Sequence, residues 1–302
     1  MEKSTYQLNI ANAPIGKRQR ATKAEMKLRE EFVVEFARHF APVTVRQVFY
    51  AATVHQVIDK TEEGYGKIQS MCLQARRNGA LNYSWIADNS RTVYQLDSYD
   101  DLSNAADSFA SEYRRNFWAE FDYSAEVWLE KEALAGTIMP VTEEFRVRLI
   151  PTRGYASETI LHNAVQQAHY EGKRKLYIFT LYDFDRSGQD ARAAVARGLE
   201  DMGRRMFGVE VVHRPVALTY QQVMDMNLPS RPPKRNSGAD KNWPYPIAVE
   251  LDAVPPNVLR GLVKAELEGL MPEDLRRQIQ LEETRERAKI MMALADFNGL
   301  AG

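Results

Sequence analysis

The spacing of apolar residues changes near residue 125, and this change limits the architectures open to the chain. From about Thr22 to Asn116 the apolar residues recur at helical spacing, and signals for strands are scarce. After that point, short β-branched or aromatic runs alternate with helical stretches, which predicts an α/β fold with a parallel sheet. The length of 302 residues accommodates two domains, each with its own core.

The helical region contains the pattern of a helix-turn-helix with a wing. Thr44 followed three residues later by Gln47 predicts a capping box, with Pro42 preventing an earlier start of the helix. We expect that helix to end near Val57 and a second helix to cover residues 67–78, after glycine breakers. The segments 81–88 and 91–96 complete the pattern as the wing.

Acidic residues follow two of the predicted strands. The strands are expected at residues 126–130, 147–151, 175–182 and 209–212, with helices at 157–170 and 189–202 between the later ones. Glu130 ends the first strand, and Asp183 and Asp185 follow the third. Ligands of parallel sheets gather at the carboxyl ends of strands, and oxygen ligands suit Mg²⁺, so these residues are candidate metal ligands. The alternatives are an N-cap role for Asp183 and a helix-dipole role for Glu130.

Tyr50 and Arg46 are predicted to share one face of the first winged-domain helix. On a helical wheel Tyr50 lies about 150° from the apolar stripe, which predicts that it faces solvent, and Arg46 lies one turn earlier. A phenol is a poor nucleophile at neutral pH, but a guanidinium and a metal-bound phosphate favour the phenolate. Tyrosine and metal together predict a DNA-cleaving transesterase. A surface Tyr–Arg stack is the alternative.

Charge is balanced overall and uneven along the chain. The net charge of −1 argues against a histone-like polycation, whereas the first 30 residues carry more basic than acidic side chains. Residues 1–21 are therefore predicted to form a basic arm that contacts phosphates, with a solvated tail as the alternative. The loop at 228–243 has the same two interpretations. It carries Arg231, Lys234, Arg235 and Lys241.

Several classes of protein are excluded or disfavoured by composition. No apolar run approaches the roughly 18 residues of a membrane span, so no membrane partner is expected. The N-terminus lacks the apolar stretch of a secretory signal, and the single cysteine, Cys72, cannot form a disulfide within the chain. The expected location is the reducing cytoplasm.

These motifs together resemble the catalytic A subunit of topoisomerase VI, a type IIB enzyme related to the meiotic double-strand-break transesterase. The family's Arg-Asp-hydrophobic-(Tyr/Phe)-Tyr motif is similar to Val45-Arg46-Gln47-Val48-Phe49-Tyr50, with Gln47 in place of the usual acid. The family's glutamate and Asp-x-Asp motifs are similar to Val127-Trp-Leu-Glu130-Lys-Glu-Ala-Leu134 and to Asp183-Phe-Asp185, with a glycine turn at Arg153-Gly154-Tyr155 between them. The resemblance covers about residues 22–260.

The resemblance implies a winged-helix (CAP-like) domain over 22–118 and a Toprim domain over 119–302 that ends in a helical extension. It also implies that Tyr50 is the nucleophile with Arg46 beside it, that Glu130, Asp183 and Asp185 bind Mg²⁺, and that the product is a 5′-phosphotyrosyl link on duplex DNA. The enzyme would be a homodimer in which the tyrosine of one protomer works with the metal site of its partner. Phosphate contacts are expected from Lys67, Arg76, Arg77 and Arg91.

The chain departs from the family in length and in the absence of an ATPase region. No GHKL-type ATPase is present in the 302 residues, so a separate B subunit is a possible partner, and the short chain suggests a minimal phage or mobile-element form. Two other functions remain open. One is a Toprim nuclease that hydrolyses DNA without a covalent intermediate, and the other is a non-catalytic DNA-binding or recombination protein.

Overall fold

The computed structural model describes residues 22–87, 96–235 and 240–300. The helices in these ranges are α1 (Lys23–Phe40), α2 (Val45–Val54), α3 (Glu62–Arg77), α4 (Leu102–Glu112), α5 (Ala135–Phe145), α6 (Glu158–Tyr170), α7 (Arg186–Met202), α8 (Tyr220–Asp225), α9 (Pro256–Glu268) and α10 (Glu273–Leu300). The strands are β1 (Tyr123–Leu129), β2 (Arg148–Pro151), β3 (Lys175–Leu181) and β4 (Glu210–Ala217). Within these described ranges, no helix combines the length and apolar character needed to cross a membrane.

The four strands form one parallel sheet with the order β2-β1-β3-β4. The predicted α/β class and parallel sheet are therefore confirmed, and all four strands overlap the predicted ranges. The first strand begins three residues earlier than predicted, and the fourth ends five residues later. Helices α5, α6 and α7 connect successive strands, as parallel pairing requires. This topology brings the carboxyl ends of β1 and β3, which are neighbours in the sheet, to one edge.

Side chains of β3 alternate between two layers of helices. Leu176, Ile178 and Tyr182 pack with residues of α6 and α7, while Phe179 and Leu181 face the opposite layer, which contains α5 and α9. The apolar layer that contains α5 and α9 continues without a break into buried residues of the N-terminal helices, including α1 and α2. The proposed boundary between residues 118 and 119 stays a prediction.

Helices α1, α2 and α3 pack against one another in the N-terminal region. The Thr44–Gln47 capping box is present at the start of α2, as predicted. The predicted start of the next helix was wrong, because Thr61 caps α3 early and both Gly64 and Gly66 lie inside it. A Cβ atom at Gly64 would lie 2.2 Å from the carbonyl oxygen of Asp59, so the missing side chain permits the close approach of chain segments.

The predicted wing is only partly described. Residues 83–85 form one turn of 3₁₀-helix, and Ile86 makes an isolated parallel bridge to Val43. Residues 88–95 lie outside the described part of the chain. The winged-helix assignment therefore stays a prediction.

Candidate functional site

The N-terminal end of α2 packs against the acidic edge of the sheet. Thr44 Oγ1 donates to Asp252 Oδ1 at 3.3 Å, and Arg46 Nη1 donates to Glu250 Oε2 at 3.0 Å. The turn at Leu251–Ala253 lies beside α2, so these bonds join two parts of the chain more than 200 residues apart. The capping residue of α2 thus also fixes the position of the helix on the acidic edge.

Tyr50 is buried, and the prediction that it faces solvent was wrong. Only 5% of the residue is exposed, its ring centroid lies 5.5 Å from that of Phe49, and Lys60 Nζ lies 5.4 Å from the ring centroid. Burial and the charge of Glu250 raise the pKa of Tyr50 to about 12, against the opposing effect of Arg46. A helical wheel assumes one buried face, whereas α2 is covered on a second side by the acidic edge of the α/β region.

The three predicted acids do meet at the carboxyl edge of the sheet. Glu130 Oε2 accepts a hydrogen bond from the backbone N–H of Asp183 at 2.7 Å, and Asp183 Oδ1 accepts one from Leu251 N at 2.7 Å. Asp185 is the N-cap of α7 and accepts from Gly188 N at 2.9 Å, so the capping role belongs to Asp185 rather than to Asp183.

Gly188 allows the first turn of α7 to lie against these carboxylates. A Cβ atom there would lie 2.6 Å from the carbonyl oxygen of Asp183 and 2.9 Å from Glu130 Oε2. Both distances are shorter than ordinary van der Waals contacts. The glycine therefore permits the close packing of helix and acids, which a larger residue would push apart.

Lys131 lies at the centre of an acidic cluster that sequence reasoning missed in part. Its Nζ is 2.8 Å from Asp252 Oδ2, 3.0 Å from Asp183 Oδ2 and 3.3 Å from Glu250 Oε2. A second cation, Arg231, lies 2.9 Å from Asp185 Oδ2. No sequence pattern indicates that Lys131 would be surrounded by acids. Its partners Asp183, Glu250 and Asp252 lie far along the chain and reach it only in the folded protein.

The predicted ligands do not form a magnesium site as they are placed. In the ranges that the structure describes, no three His, Cys, Asp or Glu side chains are grouped as metal ligands. The oxygens of Asp183 bind Lys131 and a backbone amide, and those of Asp185 bind Arg231 and a backbone amide. Binding of Mg²⁺ at these acids thus requires the two cationic side chains to move away.

Burial and charge shift the pKa values of the cluster in opposite directions. Burial, followed by the charge of Asp183, raises the pKa of Glu130 to about 7. Burial also raises the pKa of Asp183, although Lys131 opposes it. At Glu250 the cations Lys131 and Arg46 outweigh burial and lower the pKa. Glu130 therefore keeps its proton to a higher pH than an ordinary glutamate does.

Three of the four predicted DNA-contacting residues lie on α3. Lys67 pairs with an acid one turn earlier at 2.7 Å, and Arg77 is exposed. Arg76 Nη2 donates instead to the carbonyl oxygens of Tyr83 and Ile86 at 3.2 and 3.0 Å, which ties the following segment to the helix. Arg91 lies outside the described residues.

The other two basic segments are described only in part. The predicted arm at residues 1–21 lies outside the described ranges, as do residues 236–239 of the loop at 228–243. Within that loop, Arg231 binds Asp185, while Lys234, Arg235 and Lys241 are exposed. Exposure leaves these three side chains available to phosphates.

Neither a family model, nor a curated protein, nor a solved structure matches this chain. The resemblance to the topoisomerase VI A subunit accordingly rests on the motifs quoted above. The candidate site is the cluster formed by Tyr50, Arg46, Lys131 and the five acids Glu130, Asp183, Asp185, Glu250 and Asp252.

Proposed function

We propose that this chain is a topoisomerase VI A-like enzyme that cleaves duplex DNA by transesterification through Tyr50. One observation carries the proposal: the fold brings α2, with Tyr50 and Arg46, onto the acidic edge of the sheet, with Arg46 Nη1 3.0 Å from Glu250 Oε2. The chemistry inferred from the sequence needs a tyrosine, a guanidinium and several carboxylates in one place. Contacts across more than 200 residues supply that arrangement.

The proposed reaction exchanges one phosphodiester for another. A bond forms between Tyr50 Oη and the phosphorus atom, the bond from phosphorus to the 3′ oxygen breaks, and that oxygen takes up a proton while the tyrosine loses one. Burial and the charge of Glu250 raise the pKa of Tyr50 to about 12, and the positive charges of Arg46 and Lys131 oppose this rise and so favour the phenolate. Because the number of phosphodiester bonds is unchanged, the reverse reaction reseals the strand without ATP.

Burial of Tyr50 sets a condition for this reaction. A phosphodiester must enter between α2 and the acidic edge before the hydroxyl can attack, because only 5% of the residue is exposed. Arg46, which joins α2 to Glu250 and has a partly exposed side chain, is a suitable first contact for a phosphate. We therefore propose that DNA binding and exposure of Tyr50 are coupled.

The remaining parts of the proposal are supported by the resemblance. They are a winged-helix domain over 22–118, a Toprim domain over 119–302, a second copy of the chain for the second DNA strand, and a possible ATPase partner on another chain. Glu130, Asp183 and Asp185 are the residues that would hold Mg²⁺, which would supply positive charge to the phosphate, and this would require Lys131 and Arg231 to leave Asp183 and Asp185. The steps above use only the side chains of the protein.

A second candidate function is hydrolysis of DNA. The pKa of Glu130, raised to about 7 by burial and by Asp183, suits a general base that removes a proton from water near neutral pH. In this case the chain is a nuclease, Tyr50 is a structural residue, and cleaved ends carry no protein.

Treatment of supercoiled plasmid separates these functions. The protein is incubated with plasmid and Mg²⁺, stopped with SDS, and analysed with and without protease digestion. Transesterification predicts nicked or linear DNA that enters the gel only after proteolysis, that is lost in Tyr50→Phe, and that is retained in the control Tyr83→Phe, whose tyrosine is exposed elsewhere in the N-terminal region.

The other outcomes favour the alternatives. Protein-free ends that persist in Tyr50→Phe and disappear in Glu130→Gln indicate the nuclease. Intact plasmid under every condition, with DNA binding that Asp183→Ala leaves unchanged, indicates a non-catalytic DNA-binding protein.

A further inference from the structure

Three aromatic rings surround Phe184, the middle residue of the Asp183-Phe184-Asp185 motif. The ring of Phe184 lies 5.0 Å from that of Trp243, 4.9 Å from Tyr245 and 5.9 Å from Tyr220, measured between centroids. Tyr220 and Tyr245 are stacked, with centroids 4.6 Å apart and planes inclined by 23°. We call these four residues the aromatic cluster.

The aromatic cluster has a buried base and an exposed outer side. Phe184 is 3% exposed, whereas Tyr220 is 40% exposed and the other two rings are half-buried. Phe184 forms backbone hydrogen bonds with Val249 in both directions, at 2.8 and 2.9 Å, and Trp243 Nε1 donates to Ile247 O at 2.9 Å. These bonds hold Phe184 and Trp243 in place, while part of the surface of Tyr220 faces solvent.

Cationic side chains lie in the loop segment that precedes Trp243 and Tyr245 in the sequence. Lys234, Arg235 and Lys241 are exposed in the loop that leads to Trp243, and Arg231 of the same loop is bonded to Ala248 through its backbone. Exposed aromatic rings beside cations are the combination found on surfaces that bind single-stranded nucleic acids, where bases stack and phosphates pair with cations. A neutral sugar would also stack on such rings but would gain nothing from the three cations.

We propose that the aromatic cluster binds an unpaired nucleobase of single-stranded DNA beside Asp183 and Asp185. The choice of DNA rests on the proposed function, and the cluster adds a requirement to it. A base must leave its pair near the cleavage position, since a ring can stack on the exposed face of Tyr220 only after it leaves the duplex. The preferred substrate is thus DNA that is locally unpaired at that position.

Binding is tested without cleavage, in the Tyr50→Phe protein and in the absence of Mg²⁺. Fluorescence anisotropy compares oligothymidylate of about 12 nucleotides with an abasic strand of equal length, which keeps the phosphates and lacks the bases. Base stacking predicts that oligothymidylate binds about tenfold more tightly. In Tyr220→Ala that advantage disappears, while affinity for the abasic strand is unchanged.

Two variants serve as controls. Tyr220→Phe keeps the ring and should bind like the parent protein. Tyr170→Ala removes a 73% exposed tyrosine at the C-terminal end of α6, outside the aromatic cluster, and should have no effect. Equal binding of the two strands, no effect of Tyr220→Ala, or equally tight binding of duplex DNA would overturn the inference. Because no cleavage is measured, failure of the Tyr50 reaction leaves this result intact, and failure here leaves the plasmid result intact.

Discussion

Glu130 destabilises the folded chain at neutral pH and above. Its pKa rises from 4.5 to about 7 on folding, so the folded state holds a proton that the unfolded state releases above pH 4.5. The free energy of unfolding therefore falls as pH rises through this window, and the penalty is complete above pH 7. A carboxylate with this behaviour is typical of a functional position rather than of a stabilising one.

Removing this charge should stabilise the protein. Glu130→Gln keeps an acceptor for the Asp183 amide, so we expect the Tm to rise at pH 8 by about 2–4 °C for each kcal/mol of penalty removed. At pH 4 the variant and the parent should melt together. Glu143→Gln, an exposed carboxylate on α5, is the control for loss of charge alone. A lower Tm for Glu130→Gln at pH 8 would contradict the assignment.

His213 should make the fold sensitive to acid. Burial, followed by the charge of Arg192, lowers its pKa from 6.5 to about 4, and its Nε2 lies 2.8 Å from Thr180 Oγ1. Between pH 6.5 and 4 the unfolded chain binds more protons than the folded chain, so stability falls as pH falls through that range. In thermal melts His213→Gln should flatten this decline, and His55→Gln, on an exposed residue, should not. An unchanged pH profile in His213→Gln would show that other groups cause it.

At the scale of elements, the N-cap of α2 contributes to the stability of the fold and also fixes the helix at the candidate site. Thr44→Ala removes the N-cap of α2 and the bond to Asp252, whereas Thr22→Ala removes the same type of capping box from α1, whose N-cap has no bond to the acidic edge. Each should lower the free energy of unfolding by about 1 kcal/mol in denaturant melts. Only Thr44→Ala should also reduce DNA cleavage at a temperature where both variants are folded. Equal cleavage by the two variants would show that the N-cap of α2 does not contribute to the site.

Local patterns predicted the elements, while long-range contacts determined the site. Strand positions and the Thr44 cap depend on neighbouring residues, and the sequence identified them. Parallel pairing then makes the meeting of Glu130 with Asp183 predictable. The burial of Tyr50 and the central place of Lys131 depend on the segment near Glu250, which packs on α2 for reasons no short pattern contains.

At the scale of the whole molecule, one chain holds both halves of the proposed site. Arg46 binds Glu250 of the same chain, and charges of that chain act on Tyr50, whereas the resemblance implies that tyrosine and acids come from different protomers. We therefore expect that a mixture of the two inactive proteins, Tyr50→Phe and Asp183→Ala, does not recover nicking of a single DNA strand. Recovered activity in the mixture would show that the site is shared between two copies.

In the proposed reaction Tyr50 forms a covalent bond to DNA. Cleavage reactions stopped with denaturant can be digested with nuclease and trypsin and examined by mass spectrometry for a nucleotide adduct. The tryptic peptide of residues 47–60 contains a single tyrosine, Tyr50, so its assignment is unambiguous. We predict that this peptide carries a nucleotide joined to Tyr50 through its 5′ phosphate and that the Tyr50→Phe protein shows no such adduct. Cleaved DNA with no adduct, or an adduct on another tyrosine, would contradict it.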